Sequence, residues 1–143
     1  MKNIKIKLLT VIGLLSMTYP FMSSAHDQSQ SLGVAASATD VYEVDCASAP
    51  KLFFEIKSIL SSSSPVSAQV INDTVALSTT DSRGGDTESS PALEVVKPGN
   101  SAIYTVVVNK TAAGAANYAI EFHCENSDGS HASITEIALK QDQ

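Results

Sequence analysis

The chain has 143 residues, of which 43% are hydrophobic and 17% charged, and its formal net charge is −6 at pH 7. This length suits one domain with one hydrophobic core. An acidic chain without clusters of lysine and arginine is poorly suited to nucleic acid, so we exclude nucleic acid as a partner.

The first 25 residues have the pattern of an export signal. Three lysines lie in the first seven residues, residues 8–15 are an apolar run, and small residues occupy positions 23–25. A positive start, an apolar centre and a small-residue cleavage site are typical of a secretory signal peptide. We predict cleavage before His26 and a periplasmic or extracellular mature chain. No later apolar stretch approaches the roughly 20 residues of a transmembrane helix, so we expect no transmembrane anchor.

Residues 26–39 are rich in Ser, Ala, Gln and Gly and show little periodicity. We predict an extended or mobile N-terminal arm. An exposed sheet edge accepts an extended peptide through main-chain hydrogen bonds. The arm could therefore act as a donor strand for a neighbouring copy, and a filament or surface-assembly subunit, built as a homo-oligomer, is one hypothesis.

Residues 40–143 are predicted to form the folded domain, and two of its segments alternate as half-buried strands do. Residues 41–46 place Cys46 on their apolar face, and residues 117–124 place Cys124 on theirs. In an oxidising compartment an even number of cysteines favours a disulfide over free thiols. We predict a bridge between Cys46 and Cys124 that joins two sheets.

Further strands are predicted from apolar runs bounded by turn residues. They are residues 66–71 and 75–77, joined as a hairpin at Asn72-Asp73, and residues 93–96, 102–108 and 133–139. The segment 102–108 is apolar on both faces, which predicts a central strand.

Residues 51–60 fit two patterns. The helix pattern is carried by Leu52, Phe53, Ile56, Ile59 and Leu60, whereas Leu52, Phe54 and Ile56 alternate as in a strand. Four serines and then a proline end the segment early. We favour a strand.

Seven or eight short strands, with turn signals between them and a distant cysteine pair, predict an all-β fold, an antiparallel immunoglobulin-like sandwich. Residues 113–118, followed by the alternation into Cys124, resemble the glycine-to-tyrosine entry into a late strand of immunoglobulin-like domains. The resemblance implies the sandwich architecture.

Three histidines suggest a metal site. A histidine at the mature terminus can chelate Cu(II) through its α-amine and its ring, and another imidazole completes a three-nitrogen site. His26 would be that residue, with His123 or His131 as the further imidazole and Asp128 as a nearby carboxylate. The initial His and the Asp-Gly turn before His131 are similar to periplasmic copper carriers, and this implies a copper site. Alternatively, His123, predicted to face water from its strand, and His131, in a loop, are ordinary surface histidines.

A flexible acidic loop is the other candidate. Asp81, Asp86 and Glu88 supply hard oxygen ligands on turns that Gly84 and Gly85 permit, and such ligands suit Ca²⁺. Their spacing matches no established calcium motif. A solvated loop is the alternative that we favour.

Signatures of catalysis are absent, since the sequence has no Gly-x-Ser-x-Gly elbow, no His-Glu-x-x-His pair and no phosphate-binding glycine loop. We therefore do not expect an enzyme. The sequence predicts an exported, non-catalytic binding or structural module for an unidentified protein or small ligand. This prediction requires no cofactor. If the protein binds a metal ion, the histidines favour copper, and calcium is the second candidate.

Overall fold

The computed structural model of the chain describes residues 26–60, 64–134 and 136–143. The predicted export signal, residues 1–25, lies outside these ranges. The described part is all β, and it contains no helix long and apolar enough to cross a membrane.

Ten strands lie in the described residues, and each is bounded by turn or loop segments. They are β1 (His26–Leu32), β2 (Thr39–Asp45), β3 (Lys51–Ser58), β4 (Val66–Asn72), β5 (Val75–Asp81), β6 (Leu93–Val96), β7 (Ile103–Lys110), β8 (Ala116–Glu125), β9 (His131–Ala132) and β10 (Glu136–Gln141).

The strands form two antiparallel sheets. Sheet A has the order β1-β8-β3-β6, and the short strand β9 also pairs with β8. Sheet B has the order β10-β2-β7-β4-β5. The inner faces of both sheets contribute to one hydrophobic core, so the arrangement is sandwich-like. The predicted central position of the segment 102–108 is confirmed, because β7 is the middle strand of sheet B.

Alternation along β2 and β8 is confirmed. In β2 the side chains of Tyr42 and Val44 are buried, and in β8 those of Tyr118, Ile120 and Phe122 are buried. Successive residues of a strand point to opposite faces, so one apolar face per strand is sufficient to bury it against the other sheet.

The segment 51–60 is a strand, as we favoured. Along β3, buried and partly buried residues alternate without a break. Leu52, Phe54 and Ile56 are fully buried, and β3 pairs with β8 on one side and β6 on the other. A helix would leave those two neighbours without their main-chain partners.

The predicted hairpin is also confirmed, because β4 and β5 pair antiparallel along their whole length. The turn needs a backbone that most residues avoid, and Asp73 adopts it with φ of +52°. Asn72 ties the turn to β7 by donating from Nδ2 to the carbonyl oxygens of Ser101 and Ile103, at 3.2 and 2.8 Å.

Three details differ from the sequence prediction. The arm contains a strand, β1, which pairs with β8 of the same chain from His26 to Leu32. The strand predicted over residues 133–139 begins at Glu136, and the short strand β9 precedes it. The described chain therefore has ten strands where we expected seven or eight.

The disulfide is confirmed. Cys46 follows β2 in sheet B, Cys124 lies in β8 of sheet A, and the two cysteines are separated by 78 positions. Both are buried in the core, so the bridge joins the two sheets covalently.

We expect reduction of this disulfide to lower the free energy of unfolding by about 3 to 5 kcal/mol, because the bridge restrains a long loop of the unfolded chain. The urea midpoint, measured with and without reductant, checks this. The control is the double variant Cys46→Ala/Cys124→Ala, on which reductant should have no effect. An unchanged midpoint for the reduced wild-type chain contradicts the prediction.

A buried polar network joins the sheets at a second place. Tyr118 of β8 donates to Asp40 Oδ2 at 2.6 Å, and its hydroxyl lies 2.7 Å from that of Tyr42. The other oxygen of Asp40 accepts the main-chain N–H of Gln143 at 2.9 Å. Burial raises the pKa of Tyr118 well above the ordinary value of a tyrosine, and the hydrogen bonds with Asp40 and Tyr42 raise it further. Tyr118 is therefore a neutral donor that satisfies a fully buried carboxylate.

We expect Tyr118→Phe to destabilise the fold by about 2 to 3 kcal/mol, since the buried carboxylate of Asp40 loses a donor. Tyr104→Phe is the matched control. Tyr104 is equally buried, but its hydroxyl makes only a 3.5 Å contact to the carbonyl of Pro50, so its removal should cost less than about 1 kcal/mol. Denaturant titration of both variants measures the difference, and equal losses contradict this role of Asp40.

Candidate metal centre

One end of the outer face of sheet A gathers imidazole and carboxylate side chains. His123 and Glu125 are two residues apart on β8, so they share the face that points away from the core. Strand β9 then pairs with β8 so that His131 lies opposite Glu125. Within the described ranges, one group of three metal-ligating residues converges, His123, Glu125 and His131, and their ligand atoms all lie within 4.8 Å of one another.

Three rings stack on one another at this site, those of Phe53, His123 and His131. Phe53 of β3 lies opposite His123, with ring centroids 4.4 Å apart and planes inclined by 13°. His131 covers the other side of His123, with centroids 4.0 Å apart and an angle of 25°. The imidazole of His123 is thus held in one orientation between two rings.

His123 is buried, which the sequence did not predict. We expected it to face water, and it does lie on the outer face of its sheet, but only 8% of it is exposed. The covering rings of Phe53 and His131 come from other strands, so the alternation within β8 contains no sign of them.

The hydrogen bonds of Glu125 determine which nitrogen of His123 is available. His123 Nε2 lies 3.0 Å from Glu125 Oε1. We assign the ring proton to Nε2, because a carboxylate accepts and does not donate. Nδ1 then carries the lone pair, and it is buried without a hydrogen-bond partner. A metal-ligating histidine usually donates its other ring N–H to a carboxylate in this way.

Lys51 holds the carboxylate from the other side. Its Nζ lies 2.6 Å from Glu125 Oε2 and 3.2 Å from Glu94 Oε2. Burial alone would raise the pKa of Glu125, but hydrogen bonds from Lys51 and His123 outweigh it and hold that pKa below the ordinary value. The same contacts with Glu125 and Glu94 raise the pKa of Lys51. Glu125 is therefore an ionised carboxylate with both oxygens engaged.

A tight turn brings His131 back to β8. Gly129 adopts φ of +81°, which glycine does at little cost. Asp128 Oδ1 accepts the main-chain N–H of Ser130 at 3.0 Å and its hydroxyl at 2.6 Å. The hydrogen bond from the hydroxyl of Ser130 lowers the pKa of Asp128 most, and the one from its main-chain N–H lowers it further. The predicted ligand Asp128 thus stabilises the turn and is not part of the converging group.

His26 is placed differently from the other two histidines. It lies opposite Phe122, whose side chain is buried in the core, and the two ring centroids are 6.0 Å apart. Directly paired residues share a face of the sheet, so the ring of His26 is on the inner face while His123 is on the outer one. The structure brings together His123 and His131 but leaves the ring of His26 apart from them.

Glu125 was missed from the sequence because the predicted strand ended at Cys124. Its signal was the two-residue spacing after His123, which puts both side chains on one face if the strand continues. The structure extends β8 to Glu125.

The residues of the predicted calcium loop line an open cleft of about 610 Å³. Asp81 is buried, and its carboxylate accepts the main-chain N–H groups of Ser58 at 2.6 Å and Arg83 at 2.9 Å. Asp86 accepts the N–H of Glu88 at 3.0 Å. Among the described residues these three carboxylates do not converge on one point, and calcium binding stays a prediction.

Comparison with protein-family models, with curated proteins and with solved structures gives no match for this chain. The function is therefore inferred from the geometry of the chain itself.

We expect Asp81→Asn to lower the free energy of unfolding by about 1 to 3 kcal/mol, since the main-chain N–H groups of Ser58 and Arg83 lose a carboxylate acceptor. Asp86→Asn, which affects an exposed local turn, should cost less than about 0.5 kcal/mol. Thermal unfolding with and without Ca²⁺ measures both. A rise in midpoint with Ca²⁺ that Asp81→Asn and Asp86→Asn both abolish contradicts this structural role and supports a calcium loop.

Proposed function

We propose that this chain is an exported, non-catalytic metal-binding module, an immunoglobulin-like sandwich that holds one divalent transition metal ion between His123 and His131. The observation that supports it most strongly is the buried Nδ1 of His123, which has no hydrogen-bond partner beside a second imidazole. Such buried groups are rare, because they cost free energy unless something binds them. A metal ion would satisfy this nitrogen.

The donor set supports a borderline metal. Imidazole suits zinc, copper, nickel and iron, whereas calcium and magnesium take mainly oxygen ligands. In this proposal His123 and His131 are direct ligands, and Glu125 orients His123 from the opposite ring nitrogen. Zn(II) and Cu(II) are the ions that this set favours, since Cu(II) binds most tightly in the divalent series and Zn(II) accepts few ligands.

The position of the site supports exchangeable binding over a structural metal. Removing the ion would leave β9 in place, because the turn before it is closed by its own hydrogen bonds, including Asn126 N–H to the carbonyl of Ser130 at 2.8 Å. The sheets are already joined by the disulfide. His131 is exposed, so an ion or a partner can reach it from solvent.

Export is part of the proposal. The predicted cleavage before His26 and the disulfide both support an oxidising compartment. Assembly through the arm stays a prediction, and β1 of this chain pairs with its own β8, the edge that a donated strand would use.

The aromatic stack offers a competing explanation. Phe53, His123 and His131 could be packed for stability alone, with no ion bound. That explanation leaves the free-energy cost of burying the unpaired Nδ1 of His123 without compensation. It predicts that the protein binds no added metal ion.

We expect His123→Ala and His131→Ala each to weaken the binding of Zn(II) and Cu(II) by about 100-fold, corresponding to about 3 kcal/mol for a lost ligand. His26→Ala is the matched control, and its affinity should stay within about threefold of wild type, since its ring lies on the other face. Isothermal titration calorimetry on the processed chain measures all three.

The stability of each variant is measured alongside, since His123→Ala also removes a packed ring. Because His131 is exposed, its replacement by alanine tests the loss of a metal ligand with little loss of packing. If His131→Ala binds both ions as wild type does, the metal centre is not where we place it.

A further inference from the structure

Strands β1 and β9 lie along the same edge of β8. The pairing with β1 runs from Leu32 opposite Ala116 to His26 opposite Phe122. The pairing with β9 begins at Ala132 opposite Cys124. One residue of β8 lies between these two stretches, and it is His123.

Since β1 begins at His26, opposite Phe122, the main-chain nitrogen of His26 lies at the end of the paired stretch, on the side from which β8 continues to His123. Successive residues of a strand are about 3.3 Å apart and neighbouring strands about 4.8 Å apart. If the chain is cut before His26, the new α-amino group is placed beside the imidazole of His123.

We propose that the α-amino group of His26, once freed by cleavage, is a third nitrogen ligand of the centre and makes it selective for Cu(II). This inference rests on the proposed function and on the predicted cleavage site. The ring of His26 stays against Phe122 on the inner face. The terminal residue thus contributes its amine without its imidazole, unlike the chelate expected from the sequence.

The chemistry of an α-amine suits this role. Its ordinary pKa is about 7.7 to 8.0, so a metal ion displaces its proton at neutral pH with little cost, and one proton is released on binding. With two imidazoles it gives three nitrogen donors. Nitrogen donors bind Cu(II) more tightly than the other divalent ions of the first transition series.

The fold holds the amine in place. Leu32, at the far end of β1, is fully buried in the core. The next residue, Gly33, donates its N–H to the carbonyl of Gln143 at 2.5 Å and accepts a hydrogen bond from the buried Lys110. Seven residue pairs with β8 and this anchor at Leu32 and Gly33 hold β1 in its register.

The neighbouring charges favour a cation. Asp27 lies directly opposite Glu121, which in turn lies opposite Glu55, so three carboxylates cross the outer face of sheet A in one row. Like charges in direct opposition repel one another. The row adjoins the position of His123, and its negative potential would attract a metal ion to this face.

The test compares three proteins: one beginning at His26, one with a single glycine added before His26, and one beginning at position 26 with His26→Ala. The added glycine converts the amine of His26 into an amide and moves the free amine by about 3.3 Å. We expect it to weaken Cu(II) binding at least tenfold and Zn(II) binding less. His26→Ala should bind Cu(II) as the unmodified protein does.

Electron paramagnetic resonance of the Cu(II) complexes provides a second readout. Nitrogen couplings should report three nitrogens in the protein beginning at His26 and two in the protein with the added glycine. Urea midpoints of the metal-free proteins control for any change in folding.

Three results would contradict the proposals. Equal Cu(II) affinity with and without the glycine overturns the amine as a ligand, while weaker binding by His131→Ala would leave the proposed function standing. A loss in His26→Ala as large as that caused by the glycine overturns the assignment to the amine alone. If no protein binds either ion, the proposed function itself fails.

Discussion

The two-residue alternation of β8 is the constraint on which the rest of the structure depends. One face of this strand supplies Tyr118, Ile120, Phe122 and Cys124 to the core, and the other supplies His123 and Glu125 to the candidate metal centre. Any shift of its register by one position would exchange the two faces. The core therefore fixes the site, because the apolar residues and the cysteine allow only one register.

The covalent anchor lies directly beneath the site. Cys124 sits between His123 and Glu125, and its side chain bonds Cys46 of the opposite sheet. The main chain that presents the two outer-face residues is thereby tied to sheet B at its midpoint. The main chain of a metal centre built on such a segment is held by both sheets. The disulfide and the candidate metal centre therefore both depend on the three consecutive residues 123–125 of β8.

Much of this fold could be predicted from the sequence, but the assembled site could not. Residues 41–46 and 117–124 alternate so regularly that strand, inner face and disulfide followed together. Strand β1 could not be recognised, since its polar sequence has no apolar period, and it forms because the edge of β8 offers main-chain partners. The burial of His123 and its approach to His131 depend on a turn that returns the chain to its own strand, and periodicity within β8 contains no information about that contact.

The charges around Glu125 indicate what kind of metal centre this would be. Lys51 engages one oxygen of the Glu125 carboxylate and His123 the other. Whichever oxygen ligated an ion directly would have to give up its hydrogen bond. A site in which the carboxylate stays in this outer role relies on its nitrogen donors, and it binds more weakly than one with an additional charged ligand. Weaker binding at an exposed edge suits an ion that is taken up and released. Lys51 would thus limit how tightly the site holds an ion, because it engages the carboxylate charge that would bind the ion most strongly.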